Sequence, residues 1–182
     1  AYIKQQYLLN NDTSGLSNKV RATKLLPKLN SAINTQRKVF VQEYLRKQNY
    51  DNLDSEQNVL AQAWAGQGTV SAEEAMINWM RNAPRIYQNL GDPQAFVTAR
   101  GYLKTAFTTI ASIDTQKARE LIPVITSAKI QTPAGNKSLT ELYRDEFSVG
   151  ELTRIVEDES YNERQRYNQI QDANVKEQLN LV

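Results

Sequence analysis

Cysteine and histidine are both missing from this 182-residue chain. Their absence excludes a disulfide framework, zinc sites built from sulfur or nitrogen ligands, thiol nucleophiles and an imidazole acid–base catalyst. Long apolar runs are missing too, so no stretch is suited to stable insertion across a bilayer as a helix. The Gly66-Gln67-Gly68 cluster lacks the downstream glycine, the lysine and the strand of a phosphate-binding loop, and it reads as a helix stop. No signal-peptide pattern follows Ala1, and Gln178 to Val182 still reads as helix, so the sequence looks like an internal piece of a longer polypeptide.

What is present is amide and unevenly placed charge. Asparagine and glutamine together occupy 32 positions without forming runs, which favours hydrogen-bonding surfaces over a prion-like tract. The net charge is only +2, yet residues 1 to 50 carry nine bases against Asp12 and Glu43, while the rest of the chain is acidic. Such halves can attract each other or neighbouring subunits, and the basic half can face phosphate. The cations available for DNA or partner contact are Lys19, Arg21, Lys24, Lys28, Arg37 and Lys38, followed by Arg46 and Lys47. No base-reading motif accompanies them, so any DNA contact would be non-specific.

The fold class is mainly α. The pattern predicts an elongated multi-helix bundle with one short β-hairpin or turn near residues 128–138 and a long C-terminal helix. Two regions are expected: a basic helical region over 1–66, and a helical region with the hairpin over 67–182. After a helical Tyr2 to Leu9 and a break at Asn10 to Gly15, apolar residues from Leu25 to Leu45 recur at helical spacing, with Pro27 starting or kinking the helix. Ser55 to Ala65 reads as a separate short helix. Ser71 with Glu74 opens another, placing Met76, Trp79, Met80 and Ala83 on one face until Pro84 interrupts.

Asp92-Pro93 reads as a cap and first helical residue. The helix it opens sets Phe96, Ala99, Leu103, Ala106 and Ile110 in an alternating four-and-three spacing, the assembly seam of a close helix pair. Asp114 caps a helix that Pro123 stops, and Val124 to Gln131 leads into the Thr132-Pro133-Ala134-Gly135 turn. Ser138 with Glu141 and Ser148 with Glu151 are two further capping boxes. The helix from Val149 carries a sparse stripe of Leu152, Ile155, Val156, Tyr167, Ile170, Val175 and Leu179, and is nearly all polar between Glu157 and Gln165. That pattern suits a helix that bridges solvent or packs only on another subunit.

Catalytic chemistry finds little footing. Glu157, Asp158 and Glu159 are successive on a helix and fan out by about 100° each, so they cannot converge on a metal or act as an acid–base pair. Glu141 with Asp145 and Glu159 with Glu163 are like-charge pairs at helical spacing, which a partner's arginine or lysine would relieve. Trp64 and Trp79 sit among alanines and methionines as core residues. The nine tyrosines are scattered and form no stacking platform. No catalytic residue, cofactor or metal is expected.

The run from Lys129 to Leu142, with Asp145 to Leu152 and the glutamine-rich Arg164 to Asp172, resembles a segment of the internal virion proteins of short-tailed, autographivirus-type phages. The closest resemblance is to the middle-sized of their three core proteins, and it covers Ala118 to Asn180. It implies a structural protein without enzymatic activity, stacked on the portal inside the virion. During ejection such a protein reassembles in the host periplasm or envelope as a ring or tube that conducts viral DNA. The implied partners are copies of itself, the other internal virion proteins, the portal and the passing DNA. The rival expectation is a helical adaptor or scaffolding module that binds proteins through the Phe96 to Ile110 seam.

Overall fold

The computed structural model describes residues 25–132 and 134–179, and the side chains as far as residue 173. Helices dominate: α1 (Leu26–Trp64), α2 (Ala72–Asn89), α3 (Ala95–Ile113), α4 (Thr115–Ser127), the single turns α5 (Leu139–Leu142) and α6 (Arg144–Phe147), and α7 (Val149–Leu179). Between α4 and α5 lies an antiparallel hairpin of β1 (Lys129–Thr132) and β2 (Gly135–Ser138), paired from Lys129 opposite Ser138 to Thr132 opposite Gly135. The chain divides into two compact units, 1–48 and 49–182, with the boundary inside α1.

The helix expected over Leu25 to Leu45 and the separate helix expected from Ser55 are one continuous α1. Pro27 is its second residue, where the missing N–H would have had no partner in any case. In the first unit the described residues are this helix alone, and Phe40, Val41 and Tyr44 on it are exposed. The helical end at Tyr2 to Leu9 and the break at Asn10 to Gly15 lie outside the described residues.

In the second unit, the end of α1 contributes Leu53, Leu60, Ala63 and Trp64 to a core completed by α2, α3, α4 and the start of α7. Gly66 stops α1 with φ +76°, a left-handed conformation that glycine adopts without a Cβ penalty. The chain then folds back so tightly that the Gln67 and Gly68 N–H groups both donate to the Gln62 carbonyl. A Cβ on Gly68 would stand 2.9 Å from the Ala63 backbone nitrogen. Trp64 and Trp79 are fully buried, and each indole N–H is satisfied, by the Ala72 carbonyl at 3.2 Å and the Ala99 carbonyl at 2.8 Å. Tyr102 and Tyr87 flank the Trp79 ring.

Two prolines expected to end helices do not. Pro84 lies inside α2 and Pro123 inside α4. An interior proline removes a hydrogen bond and costs about 3 kcal/mol. In α2 that cost is offset by burial on both sides of the ring, from Met80 and Ala83 to Ile86. In α4, Ile125 beyond the proline is fully buried, while the Thr126 and Ser127 hydroxyls donate to the Ile122 and Pro123 carbonyls.

Candidate functional site: projecting helix and ionic clamp

Helix α7 begins where Ser148 accepts the Glu151 N–H at 3.2 Å. The expected reciprocal arm is absent because the Glu151 carboxylate turns elsewhere. It accepts from the Arg154 guanidinium at 3.0 and 3.1 Å and from Lys104 Nζ on α3 at 3.1 Å. Those bonds, Arg154 first and Lys104 second, hold its carboxyl well below the usual carboxylate range, at about 2. Arg154 also reaches Asp158 at 3.0 Å. One helical turn earlier on the same side of α3, the Arg100 guanidinium lies 4.3 Å above the Tyr143 ring, with Nε 2.8 Å from the Glu146 carboxylate. The Arg100 Nε–H is not aligned for a hydrogen bond there, so charge and ring stacking hold this side chain. Together these pairs clamp the start of α7 and the preceding turn α6 onto α3.

Apart from Glu151, singled out by its spacing from Ser148, none of the clamp residues carries an obvious signal in the sequence. Arg100 and Lys104 are four residues apart on one helix, and Glu146 and Glu151 straddle a helix break. Only the docking of α7 on α3 brings the two sets together.

Beyond the clamp, α7 leaves the core. Leu152, Ile155 and Val156 are buried, Glu159 and Ser160 are half-buried, and every residue from Tyr161 to Ala173 is exposed. At 1.5 Å per residue the exposed stretch is about 20 Å of helix. Tyr161 and Tyr167 are each 62% exposed and Ile170 is 59% exposed. By helical phase, Tyr167 and Ile170 continue the line of Leu152 and Val156, so the face that packs in the core runs on into solvent. Glu159 and Glu163 stand on that same line, between its buried and exposed parts.

The seam expected on α3 is placed differently by the fold. Ala99 and Leu103 are fully buried in the chain's own core, Ala106 and Ile110 pack partly against it, and Phe96 is 62% exposed. The buried register is Ala95, Ala99, Leu103, Phe107 and Ala111, a strict spacing of four. Asp92 does not cap α3 either. It accepts the Gln94 N–H and the Thr98 hydroxyl, and the helix begins at Ala95.

Among the basic candidates, Lys19, Arg21 and Lys24 lie outside the described residues. Lys28, Arg37 and Lys38 are exposed on α1. Their spacing sets Arg37 about 180° around the helix from Lys28 and Lys38 about 80° from it, so the three do not form one face.

A cleft of about 670 Å³ includes Thr126, Ser127, Thr140 and Glu141 beside Lys129 and Arg144. Its hydroxyls are committed: Thr126 and Ser127 to α4 carbonyls, Thr140 to the Phe147 carbonyl at 2.7 Å. Glu141 is held by the Ser138 N–H in a complete capping box, and that bond lowers its pKa. Among the described residues no carboxylate cluster could hold a metal ion, and no helix is long and apolar enough to cross a membrane. Comparison of the chain with protein-family models, with curated proteins and with solved structures finds no match.

Proposed function

We propose that this chain is an assembly-forming structural segment of a phage internal core, working without catalysis in a ring or tube through which viral DNA passes into the host. The observation that carries the assembly part is the projecting half of α7. A 20 Å helical extension with no tertiary support among the described residues, exposing Tyr161, Tyr167 and Ile170, is marginal in water by itself and gains stability from a partner helix. The phage-core part rests on the resemblance over Ala118 to Asn180, which includes the hairpin, the Ser138 capping box and α7.

The arrangement of cations supports a passage in preference to a DNA-reading surface. A lumen works with polar walls and weak phosphate contact, since each tight lysine or arginine contact adds to the salt-dependent affinity that would slow transit. Lys28, Arg37 and Lys38 are dispersed around α1 and cannot grip one phosphate strand together. Of the seam that the adaptor reading would use, Ala99 and Leu103 have no exposed area to offer, while Phe96 is exposed.

Negative-stain imaging with mass determination, on this chain and on any longer polypeptide that contains it, tests the proposal. Closed rings or tubes with a central channel are expected. A discrete monomer or dimer under every condition would refute it.

A further inference from the structure

Two unpaired like-charge couples stand out on the second unit. On α7, Glu159 and Glu163 are four residues apart and have no cationic partner among the described residues. On α2, Arg81 and Arg85 are also four residues apart, both exposed, and have no anionic partner among the described residues. Each couple disfavours its own helix through repulsion at one-turn spacing. A partner of opposite sign relieves both.

The two couples also sit beside matching apolar features in the same order. Following α7 from Glu163, Tyr167 and Ile170 come about 6 to 10 Å further along the helix. Following α2 from Arg85, Gln88 comes one turn later on the same face. Gln88 lines an open cleft of about 520 Å³ whose wall has an apolar part, Pro93, Phe96 and Val97, and a polar part that includes Asp92 and Gln94. Phe96 and Val97 are both exposed. Thus one surface reads acid, acid, aromatic, aliphatic, and the other reads base, base, then a mixed cleft with an apolar wall at Pro93, Phe96 and Val97.

We infer that the projecting end of α7 from one copy docks on α2 of a second copy, with Glu159 and Glu163 against Arg81 and Arg85, and with Tyr167 and Ile170 seated in the Phe96–Val97 cleft. The occupant is a second copy because charge and apolar order match within this one sequence. The two surfaces differ, so the contact is head-to-tail. Repeated, it closes into a ring or extends as a filament, depending on the rotation between successive copies. The inference rests on the assembly reading above and names the surfaces that perform it.

Charge exchange tests it on the whole chain. Glu159→Lys with Glu163→Lys gives a tail that repels Arg81 and Arg85, and Arg81→Glu with Arg85→Glu gives a face that repels the native tail. Each double variant alone should self-associate at least about tenfold more weakly than the unaltered chain, since like charges oppose across the contact. Mixed in equal amounts they should assemble again, because both junctions of an alternating array are complementary. Sedimentation velocity reads the association, and thermal melts confirm that each variant is folded. Ile170→Ser with Tyr167→Ser provides a second probe that leaves the charges untouched and should also weaken association.

Restoration on mixing, with loss in each variant alone, supports the docking. Variants that assemble as the unaltered chain does would overturn it while leaving the assembly reading in place. An unaltered chain that stays monomeric at every concentration would overturn both.

Discussion

Leu103→Ala separates the two accounts of α3, the seam facing a partner and the seam facing the chain's own core. Leu103 is fully buried among the core residues of α2, α3 and the start of α7. Removing its isopropyl end loses the transfer free energy of the deleted carbons and leaves a cavity whose walls cannot all collapse. For a fully enclosed leucine the cost is about 3 kcal/mol. In a unit spanning residues 49–182, that corresponds to a fall in Tm of roughly 10 °C. Phe96→Ala is the matched control. Although it deletes more carbon, Phe96 is 62% exposed, so the change in stability should stay within about 0.5 kcal/mol. Thermal and urea unfolding, followed by circular dichroism at a protein concentration low enough to keep association out of the signal, measures both. Equal losses for the two variants, or a Leu103→Ala shift under about 2 °C, would refute the placement of this register in the core.

Other outcomes follow from single contacts. Trp79→Phe removes the N–H that reaches the buried Ala99 carbonyl and should cost about 1 to 3 kcal/mol by urea unfolding; a neutral result would mean that bond is not formed in solution. Ser148→Ala should cost about 1 kcal/mol through loss of the α7 cap, seen as a lower unfolding midpoint. Gly68→Ala forces a Cβ against the Ala63 backbone, so the turn after α1 must open, and the melt should shift down. Glu151 has its folded pKa lowered from 4.5 to about 2, so the stability it adds is present above its unfolded pKa and is lost as pH falls from 4.5 towards 2. Glu151→Gln should remove that component of the acid profile, and unchanged pH dependence in this variant would show the Lys104–Glu151–Arg154 clamp is not made.

Much of the secondary structure is determined locally, by residues that act within one turn of their own position. Ser71, Asp114 and Ser138 each cap the helix that their spacing announces, and Gly66 ends α1 because only a left-handed residue fits there. The hairpin at 129–138 follows from its turn, and the long polar α7 from its sparse stripe. The mainly α class, the hairpin and the long final helix are therefore legible from sequence.

Tertiary packing decided the rest, because it adds energies that local rules do not contain. Pro84 and Pro123 break helices by local steric rules, yet burial of Ile86 and Ile125 beyond them sustains α2 and α4. On α3 the apolar residues allow more than one stripe, and the neighbouring helices selected the four-residue spacing from Ala95 to Ala111, leaving Phe96 in solvent. The pairing of Arg100 and Lys104 with Glu146 and Glu151 joins residues more than forty positions apart, which no helical periodicity can announce. Sequence determined which segments are helices and which faces could be apolar; only the packed structure decided which of those faces enter the core and which, like Tyr167 and Ile170, stay exposed.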